Sequence, residues 1–187
     1  MREIDVGIVG WGFMGRTHAH VLREMPLFYP GAGFRPVIRS VCSRRLEIAQ
    51  GAAEMLGAPH YSDDYRALLA REDIDVLSVS TPNALHEQMI VDALKAGKHL
   101  YIDKPLTVDG ASAARIEEAA RKSLSLTQMA HNNRFFPSVL RAKRLIDEGR
   151  VGNLLSFSVR YDHSGSIDAA KPAGWKMQEN AGVLLDL

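Results

Sequence analysis

Three glycines near the amino terminus constrain this chain more than any other feature. Residues 4–9 form a short apolar run that ends on glycine, which is typical of a buried strand. The next six residues read Gly-Trp-Gly-Phe-Met-Gly, and helical spacing begins at Met14 and continues to about residue 25. A Gly-x-Gly-x-x-Gly turn between a strand and a helix is the pattern of a dinucleotide site.

Each of these glycines has a physical task. Gly10 permits the tight turn, Gly12 lets the backbone approach a pyrophosphate, and Gly15 lets the helix pack closely on the strand. The start of the helix offers unpaired N–H groups and a partial positive charge to the phosphates. We therefore predict a dinucleotide site at Gly10 and Gly12, with Phe13 and Met14 beside it. The alternative is a turn with a purely structural role.

Strands and helices alternate along residues 1–127. Predicted strands cover residues 4–9, 37–42, 74–79, 99–102 and 125–129, and predicted helices cover residues 14–25, 46–56, 64–70, 83–96 and 109–122. This alternation predicts an α/β domain, a doubly wound parallel sheet of the Rossmann type with helices on both faces. Ligands on such a sheet bind at the carboxyl ends of the strands.

The pattern changes in residues 128–187. Residues 135–148 predict one helix, and residues 154–162 alternate apolar and polar side chains, which predicts an antiparallel strand with one exposed face. One strand and one helix cannot bury a sheet face. We therefore expect residues 128–187 to begin an incomplete α+β second domain.

Bulk composition excludes several classes of function. The net charge of +1 argues against a nucleic-acid or membrane-surface partner. No apolar run reaches the roughly 18 residues of a membrane span, and the amino terminus lacks a signal-peptide pattern. Cys42 is the one cysteine, so it forms no disulfide within the chain, and we interpret it as an inert core residue. These features predict a cytoplasmic protein.

The end of the second predicted strand bears on the choice of dinucleotide. An acidic residue there commonly binds the adenine ribose, but this strand ends in Ser43, Arg44 and Arg45. A serine and two arginines can hold a 2′-phosphate through charge-assisted hydrogen bonds, so we expect NADP rather than NAD. The alternative is that both arginines belong to a solvated helix start.

Two further strand ends carry polar residues. Ser80, Thr81, Pro82 and Asn83 end one strand and begin a helix, with His86 one turn further on, and we expect them to contact the nicotinamide ribose and phosphates. The next strand ends in Asp103, Lys104 and Pro105, where a lysine can donate a hydrogen bond to a substrate oxygen. An isolated Asp-Lys-Pro is also compatible with an ordinary turn.

The remaining histidines give weaker signals. His18 and His20 are two residues apart on a helix and face different directions, so we predict no metal site there. Weaker candidates to line the substrate cleft are His131, beside Asn132 and Asn133, and the pair Asp162 and His163. Trp175 is interpreted as a core residue rather than a cover for the cleft.

Four segments together resemble the Gfo/Idh/MocA oxidoreductase family. They are VGIVGWGFMGRTHAH, STPNALHEQMIVDALKAGKHLYIDKPLT, NNRFFP and AGVLLDL, in family order and spacing. Asp103 stands where the family has glutamate before the lysine, and Ala181 replaces the first glycine of the last motif. The position of the histidine that follows in that motif lies beyond Leu187.

The resemblance implies reversible hydride transfer between a nicotinamide and a sugar- or cyclitol-like hydroxyl or carbonyl. It implies that Lys104 orients the reacting oxygen, that Asp186 assists proton transfer, and that Asp103 and Lys104 also lie beside the cofactor. The second domain would serve substrate binding and homo-oligomer formation. Two alternatives remain: a nucleotide-binding fragment or regulatory module without turnover, and an S-adenosylmethionine enzyme, against which the Asp-Lys-Pro and Asn-Arg-Phe matches count.

Overall fold

A computed structural model describes residues 1–160 and 162 of the chain. Its centre is one parallel sheet of six strands in the order β3-β2-β1-β4-β5-β6. The strands are β1 (Arg2–Val9), β2 (Phe34–Cys42), β3 (His60–Ser62), β4 (Val76–Val79), β5 (His99–Asp103) and β6 (Thr127–Ala130). This order confirms the predicted doubly wound fold. The strands β2 and β3 are added on one side of β1, and β4, β5 and β6 are added on the other side.

Each of the first five helices connects two successive strands, and a sixth follows β6. They are α1 (Phe13–Phe28), α2 (Leu46–Leu56), α3 (Tyr65–Leu69), α4 (His86–Lys95), α5 (Gly110–Arg121) and α6 (Pro137–Asp147). On one face of the sheet, alternate strand residues pack with apolar residues of α3, α4 and α5. That core includes Val9, Leu77, Val79, Leu100, Ile102, Leu68, Ile90, Leu94 and Ile116.

Sequence signals for helix ends were mostly accurate. The Asp109 carboxylate accepts the Ser112 N–H at 2.7 Å and caps α5, and Gly57 ends α2 with a φ of 68°. Asn83 was predicted to cap the following helix, but its side chain accepts the N–H of the adjacent Ala84, at 3.1 Å. A short 3₁₀ turn, Asn83–Leu85, precedes α4 instead.

Several predicted element boundaries differ from the structure. The first helix was predicted to end at about residue 25, yet α1 continues through Pro26 to Phe28, so the helix tolerates the missing backbone donor near its end. The strand β3 was not predicted because three residues are too few for a period of two to emerge.

The predicted antiparallel strand at residues 154–162 is also corrected. Residues 154–160 have no regular secondary structure, and no described strand pairs with them. Their alternating apolar side chains are solvent-exposed, with Leu155 94% and Phe157 81% exposed. A strand without a partner has no ladder of hydrogen bonds to stabilise it, so an alternating pattern alone does not produce one.

The sheet also bears on the predicted domain boundary. The strand β6 begins at Thr127, the last residue that we assigned to the first domain, and it extends the sheet to Ala130. An exposed 3₁₀ turn, Asn132–Phe135, then leads into α6. The start of a second domain stays a prediction. Within the described part of the chain, no helix is both long and apolar enough to cross a membrane.

Candidate functional site

Strand register brings the predicted site residues to one edge of the sheet. Val9 is paired with Cys42 on one side and with Val79 on the other, and Val79 is paired with Ile102. Because all of these strands are parallel, the residues that follow them lie along the same carboxyl edge. Those residues include Gly10, Ser43, Ser80, Asp103 and Lys104.

Two glycines of the turn have no space for a side chain. Gly10 has a φ of 98°, and a Cβ added there would lie 2.7 Å from the Ser80 carbonyl oxygen. A Cβ on Gly15 would lie 1.9 Å from the Gly10 carbonyl oxygen. The Ser80 hydroxyl donates to that same Gly10 oxygen at 3.0 Å. The turn, the helix and the end of β4 are therefore packed backbone against backbone.

Gly12 differs from its neighbours because it faces open space. A Cβ built there meets nothing within 4 Å. Gly12 is also the N-cap of α1, and it makes no side-chain capping bond and has no acidic residue in the first turn after it. The unpaired N–H groups of α1 thus face an open region, which suits a pyrophosphate. Phe13 is 75% exposed and Met14 is half-buried beside this opening.

The end of β2 provides cationic side chains. Ser43 is half-buried and its N–H donates to the Ser62 carbonyl at 3.1 Å, which anchors β2 to β3. Arg44 and Arg45 are exposed, and Arg45 Nε lies 3.9 Å from the Glu47 carboxylate. The nearest carboxylate in sequence therefore belongs to α2, and it does not occupy the usual ribose-binding position.

The turn after β4 contains a buried amide with spare hydrogen-bonding capacity. Asn83 is 1% exposed, and its Nδ2 has no hydrogen-bond partner among the described residues. Thr81 is half-buried, with its hydroxyl 3.5 Å from Met89 Sδ, and Pro82 is exposed. A buried donor without a partner costs free energy, so the hydrogen bonds of this turn are incomplete among the described residues.

Asp103 shapes the backbone at the end of β5. Its Oδ1 accepts the N–H of Lys104 at 2.9 Å, and Lys104 is half-buried. Two rings lie near the carboxylate, those of buried His18 and of Tyr101, which is 37% exposed. Burial lowers the pKa of His18, and the Asp103 charge opposes this; burial and the same charge raise the pKa of Tyr101.

His18 and His20 lie in different environments on α1. His18 is buried with Nδ1 2.8 Å from the Ser78 hydroxyl, and its ring centroid lies 4.9 Å from that of Tyr101. His20 is exposed. The described residues include no cluster of three or more metal-ligating side chains. Burial raises the pKa of the Cys42 thiol to about 12, which agrees with an unreactive core cysteine.

The His86 side chain is buried beside the candidate site. We expected this side chain to contact the nucleotide, but it is 1% exposed. Its Nε2 lies 2.9 Å from the Thr81 carbonyl oxygen, and its Nδ1 lies 3.0 Å from that of Pro105. Both ring nitrogens therefore face backbone carbonyls, which leaves neither for a nucleotide atom. Helical spacing indicated that His86 lies near the site, but it could not show that the ring turns inward.

The remaining predicted site residues are either exposed or lie outside the described part of the chain. His131 follows β6 at the same edge, and it is exposed, as are Asn132 and Asn133. Asp162 is exposed and accepts a hydrogen bond from Arg160 at 2.6 Å. Asp186, His163 and Trp175 lie outside the described residues. Sequence reasoning missed the contacts of Ser78 and Tyr101 with His18, because no local pattern indicates which residues of separate elements meet.

A salt bridge beside the site predicts a pH-dependent stability difference. The Glu87 carboxylate accepts from Arg115 Nη2 at 2.9 Å, and hydrogen bonds from Arg115 and Ser112 lower its pKa from 4.5 to about 2. A lowered carboxylate pKa stabilises the fold above the unfolded value and loses that contribution as pH falls toward the folded value. We expect Glu87→Gln to lower Tm slightly at pH 7, with the difference from wild type closing between about pH 4.5 and 2. A difference that stays constant across that range would contradict the assignment.

Comparison with known proteins agrees with this geometry. A family model described as "Oxidoreductase family, NAD-binding Rossmann fold" matches residues 4–131. Levoglucosan dehydrogenase of Pseudarthrobacter phenanthrenivorans is 33% identical over 190 residues, covering 100% of this chain and 49% of that protein. The scyllo-inositol 2-dehydrogenase (NAD(+)) of Bacillus subtilis is 26% identical, covering 98% of this chain and 50% of that protein.

A solved structure gives the same result. Levoglucosan dehydrogenase in complex with NADH superimposes with a TM-score of 0.92 and 33% identity, covering 100% of this chain and 51% of that one. The chain thus spans about half the length of the relatives that it matches. Because the family model covers more than half of the chain, this protein belongs to the Gfo/Idh/MocA family of oxidoreductases with an NAD-binding Rossmann fold.

Proposed function

We propose that this protein transfers hydride between a nicotinamide dinucleotide and a sugar- or cyclitol-like hydroxyl or carbonyl. The observation that carries the proposal is the open backbone at Gly12, where α1 begins without a cap, at the sheet edge that also bears Lys104. The bound nicotinamide supplies the hydride chemistry, and the protein provides orientation and proton transfer. Relatives named for levoglucosan and scyllo-inositol support the substrate class.

Each residue of the site has a proposed task. The N–H groups that begin α1 hold the pyrophosphate, and the turn from Ser80 to Asn83 contacts the nicotinamide ribose. Lys104 donates a hydrogen bond to the reacting oxygen of the substrate and stabilises negative charge that develops there. Asp186 assists the proton transfer, and a second domain completes the substrate pocket. By family resemblance, we propose a cytoplasmic homo-oligomer.

The finer choice of cofactor is NADP. Arg44 is exposed directly after β2, where it can meet a 2′-phosphate, and Ser43 offers a hydroxyl beside it. The NADH complex of levoglucosan dehydrogenase is the observation that opposes this choice, since that relative binds the dinucleotide without a 2′-phosphate.

Titration of the purified protein with NADPH and NADH, followed by nucleotide fluorescence, tests both levels of the proposal. We expect saturable binding of both and tighter binding of NADPH by about tenfold, the value of one charge-assisted contact. Arg44→Ala should remove most of that preference and leave NADH affinity unchanged. Tighter binding of NADH would overturn the NADP choice alone, whereas no binding of either would overturn the proposed function.

A further inference from the structure

The first turn of α4 contacts both α5 and the connection that leads to it from β5. His86 contacts the carbonyl oxygens of Pro105, at 3.0 Å, and Leu106, at 3.3 Å. Its neighbour Glu87 binds Arg115 on α5. We call residues 104–107 the lysine loop. Because Lys104 immediately precedes Pro105, a contact that fixes the Pro105 carbonyl also restricts the position of Lys104.

The same imidazole contacts the other wall of the candidate site. Its Nε2 lies 2.9 Å from the carbonyl oxygen of Thr81, in the turn that follows β4. The ring is planar and rigid, so the spacing of its two nitrogens is constant. It is also 1% exposed, so close packing restricts its movement. His86 therefore acts as a spacer between the turn after β4 and the lysine loop.

The chemistry of the ring indicates what a substitution would remove. A carbonyl oxygen only accepts, so a ring nitrogen bonds to it only when that nitrogen carries a hydrogen. Burial lowers the pKa of His86, although the hydrogen bonds to the three carbonyls and the Asp103 charge act in the opposite direction. A neutral ring carries one N–H and donates to one wall only, so its other nitrogen contacts the second wall without a hydrogen bond, whereas a protonated ring donates to both. An apolar side chain loses the donated bond, whereas glutamine retains an N–H.

We propose that His86 is a positioning residue, which sets the separation between the turn after β4 and the lysine loop. It holds Lys104 at the distance from the bound nicotinamide that the reaction requires. This inference rests on the proposed function, since it takes Lys104 to act on the substrate beside the dinucleotide. The side chain itself touches neither ligand, because its ring is buried behind both walls.

Three variants separate positioning from general stability. His86→Leu fills much of the space and donates nothing, while His86→Gln retains one donor. Glu87→Gln is the matched control, because it breaks the second anchor of the same helical turn and leaves the loop carbonyls untouched. Amide hydrogen exchange is measured in the lysine loop, with β4 (Val76–Val79) as internal reference. Steady-state kinetics use scyllo-inositol and levoglucosan as probe substrates with NAD⁺ and NADP⁺.

For His86→Leu we expect exchange in the lysine loop to rise by about tenfold, while exchange in β4 stays unchanged. We expect kcat to fall on the order of tenfold to a hundredfold, because small displacements of a reacting group are costly. The KM for the dinucleotide should stay within about twofold. His86→Gln should recover most of kcat, and Glu87→Gln should change kcat little.

Three results would overturn the inference. The first is wild-type exchange and kcat in His86→Leu. The second is that Glu87→Gln loses as much kcat and as much Tm as His86→Leu, which would indicate that His86 has a purely structural role. The third is that kcat in His86→Gln falls as far as it does in His86→Leu. If the wild-type protein bound neither NADH nor NADPH, that result would instead contradict the proposed function. If it bound a dinucleotide but oxidised neither probe substrate, the hydrogen-exchange comparison would decide the inference.

Discussion

Replacing Gly15 with alanine should destabilise the protein by about 3 kcal/mol or more, the upper range for overpacking in a tightly packed interior. The added Cβ would lie 1.9 Å from the Gly10 carbonyl oxygen and 2.9 Å from the Ser80 hydroxyl. The first of these neighbours is backbone, so α1 itself must move away from β1. Dinucleotide binding should be lost together with stability, because the turn that binds the pyrophosphate is displaced.

Gly12→Ala is the matched control, since it adds the same methyl group three residues earlier. Nothing lies within 4 Å of a Cβ at Gly12, and its φ of −82° suits alanine. We expect stability to change by less than about 1 kcal/mol, in the range for Ala or Gly at an exposed position. Affinity for NADH should nevertheless fall by about tenfold to a hundredfold, because the methyl group occupies the space of the pyrophosphate and lengthens its bonds to backbone N–H groups.

Urea unfolding and fluorescence titration of both variants provide the measurements. Equal stability losses in the two variants would contradict the packing derived for Gly15. Unchanged NADH affinity in Gly12→Ala would contradict the position of the pyrophosphate, even if the protein still bound the dinucleotide elsewhere.

Replacing Lys104 with methionine should lower kcat by about 10²- to 10⁴-fold, the range for losing a group that assists proton transfer. Methionine retains most of the apolar stem and removes the ammonium group that the reacting oxygen requires. Affinity for NADH should change by no more than about twofold, because the proposed contact of Lys104 is to the substrate. The expected signature is thus a loss of turnover with retained cofactor binding.

Lys143→Met is the control for this substitution. Lys143 forms an exposed pair with Asp147 one turn along α6, with Nζ 2.6 Å from Oδ2, and exposed pairs contribute little. The kcat of Lys143→Met should match that of the wild type. Steady-state oxidation of scyllo-inositol or levoglucosan measures both variants. Lys104→Met with wild-type kcat would exclude Lys104 from the reaction, while a parallel loss of NADH affinity would assign it to the cofactor instead.

Local sequence was sufficient for the elements around the glycine turn. The apolar run of β1, the three glycines and the start of α1 are contiguous, so their signals reinforce one another within fifteen residues. The central strands β1 and β4 behave in the same way, because they are largely buried on both faces and therefore appear as apolar runs. Alternation of these elements was enough to predict the doubly wound order.

Sequence reasoning failed where an element depends on a neighbour distant in the chain. The alternating residues 154–160 form no strand, because no described strand donates to them or accepts from them. In contrast, β3 exists although it is only three residues long, since β2 offers it a paired edge from Ser40 to Cys42. A period of two describes which faces a strand would present, but a sheet partner determines whether the strand forms.

The glycine turn and the residues that follow each strand could be predicted from the sequence, because both depend on only a few adjacent residues. The distances between those strand ends could not be predicted in this way. Sheet register aligned Gly10, Ser80 and Lys104 along one edge, and the inward rotation of His86 joined the turn after β4 to the lysine loop. The two His86 contacts link residues 5 and 19 positions apart, and the strand pairs Val9–Val79 and Val79–Ile102 are more distant still in the chain. Their geometry therefore follows from packing of whole elements rather than from any local pattern.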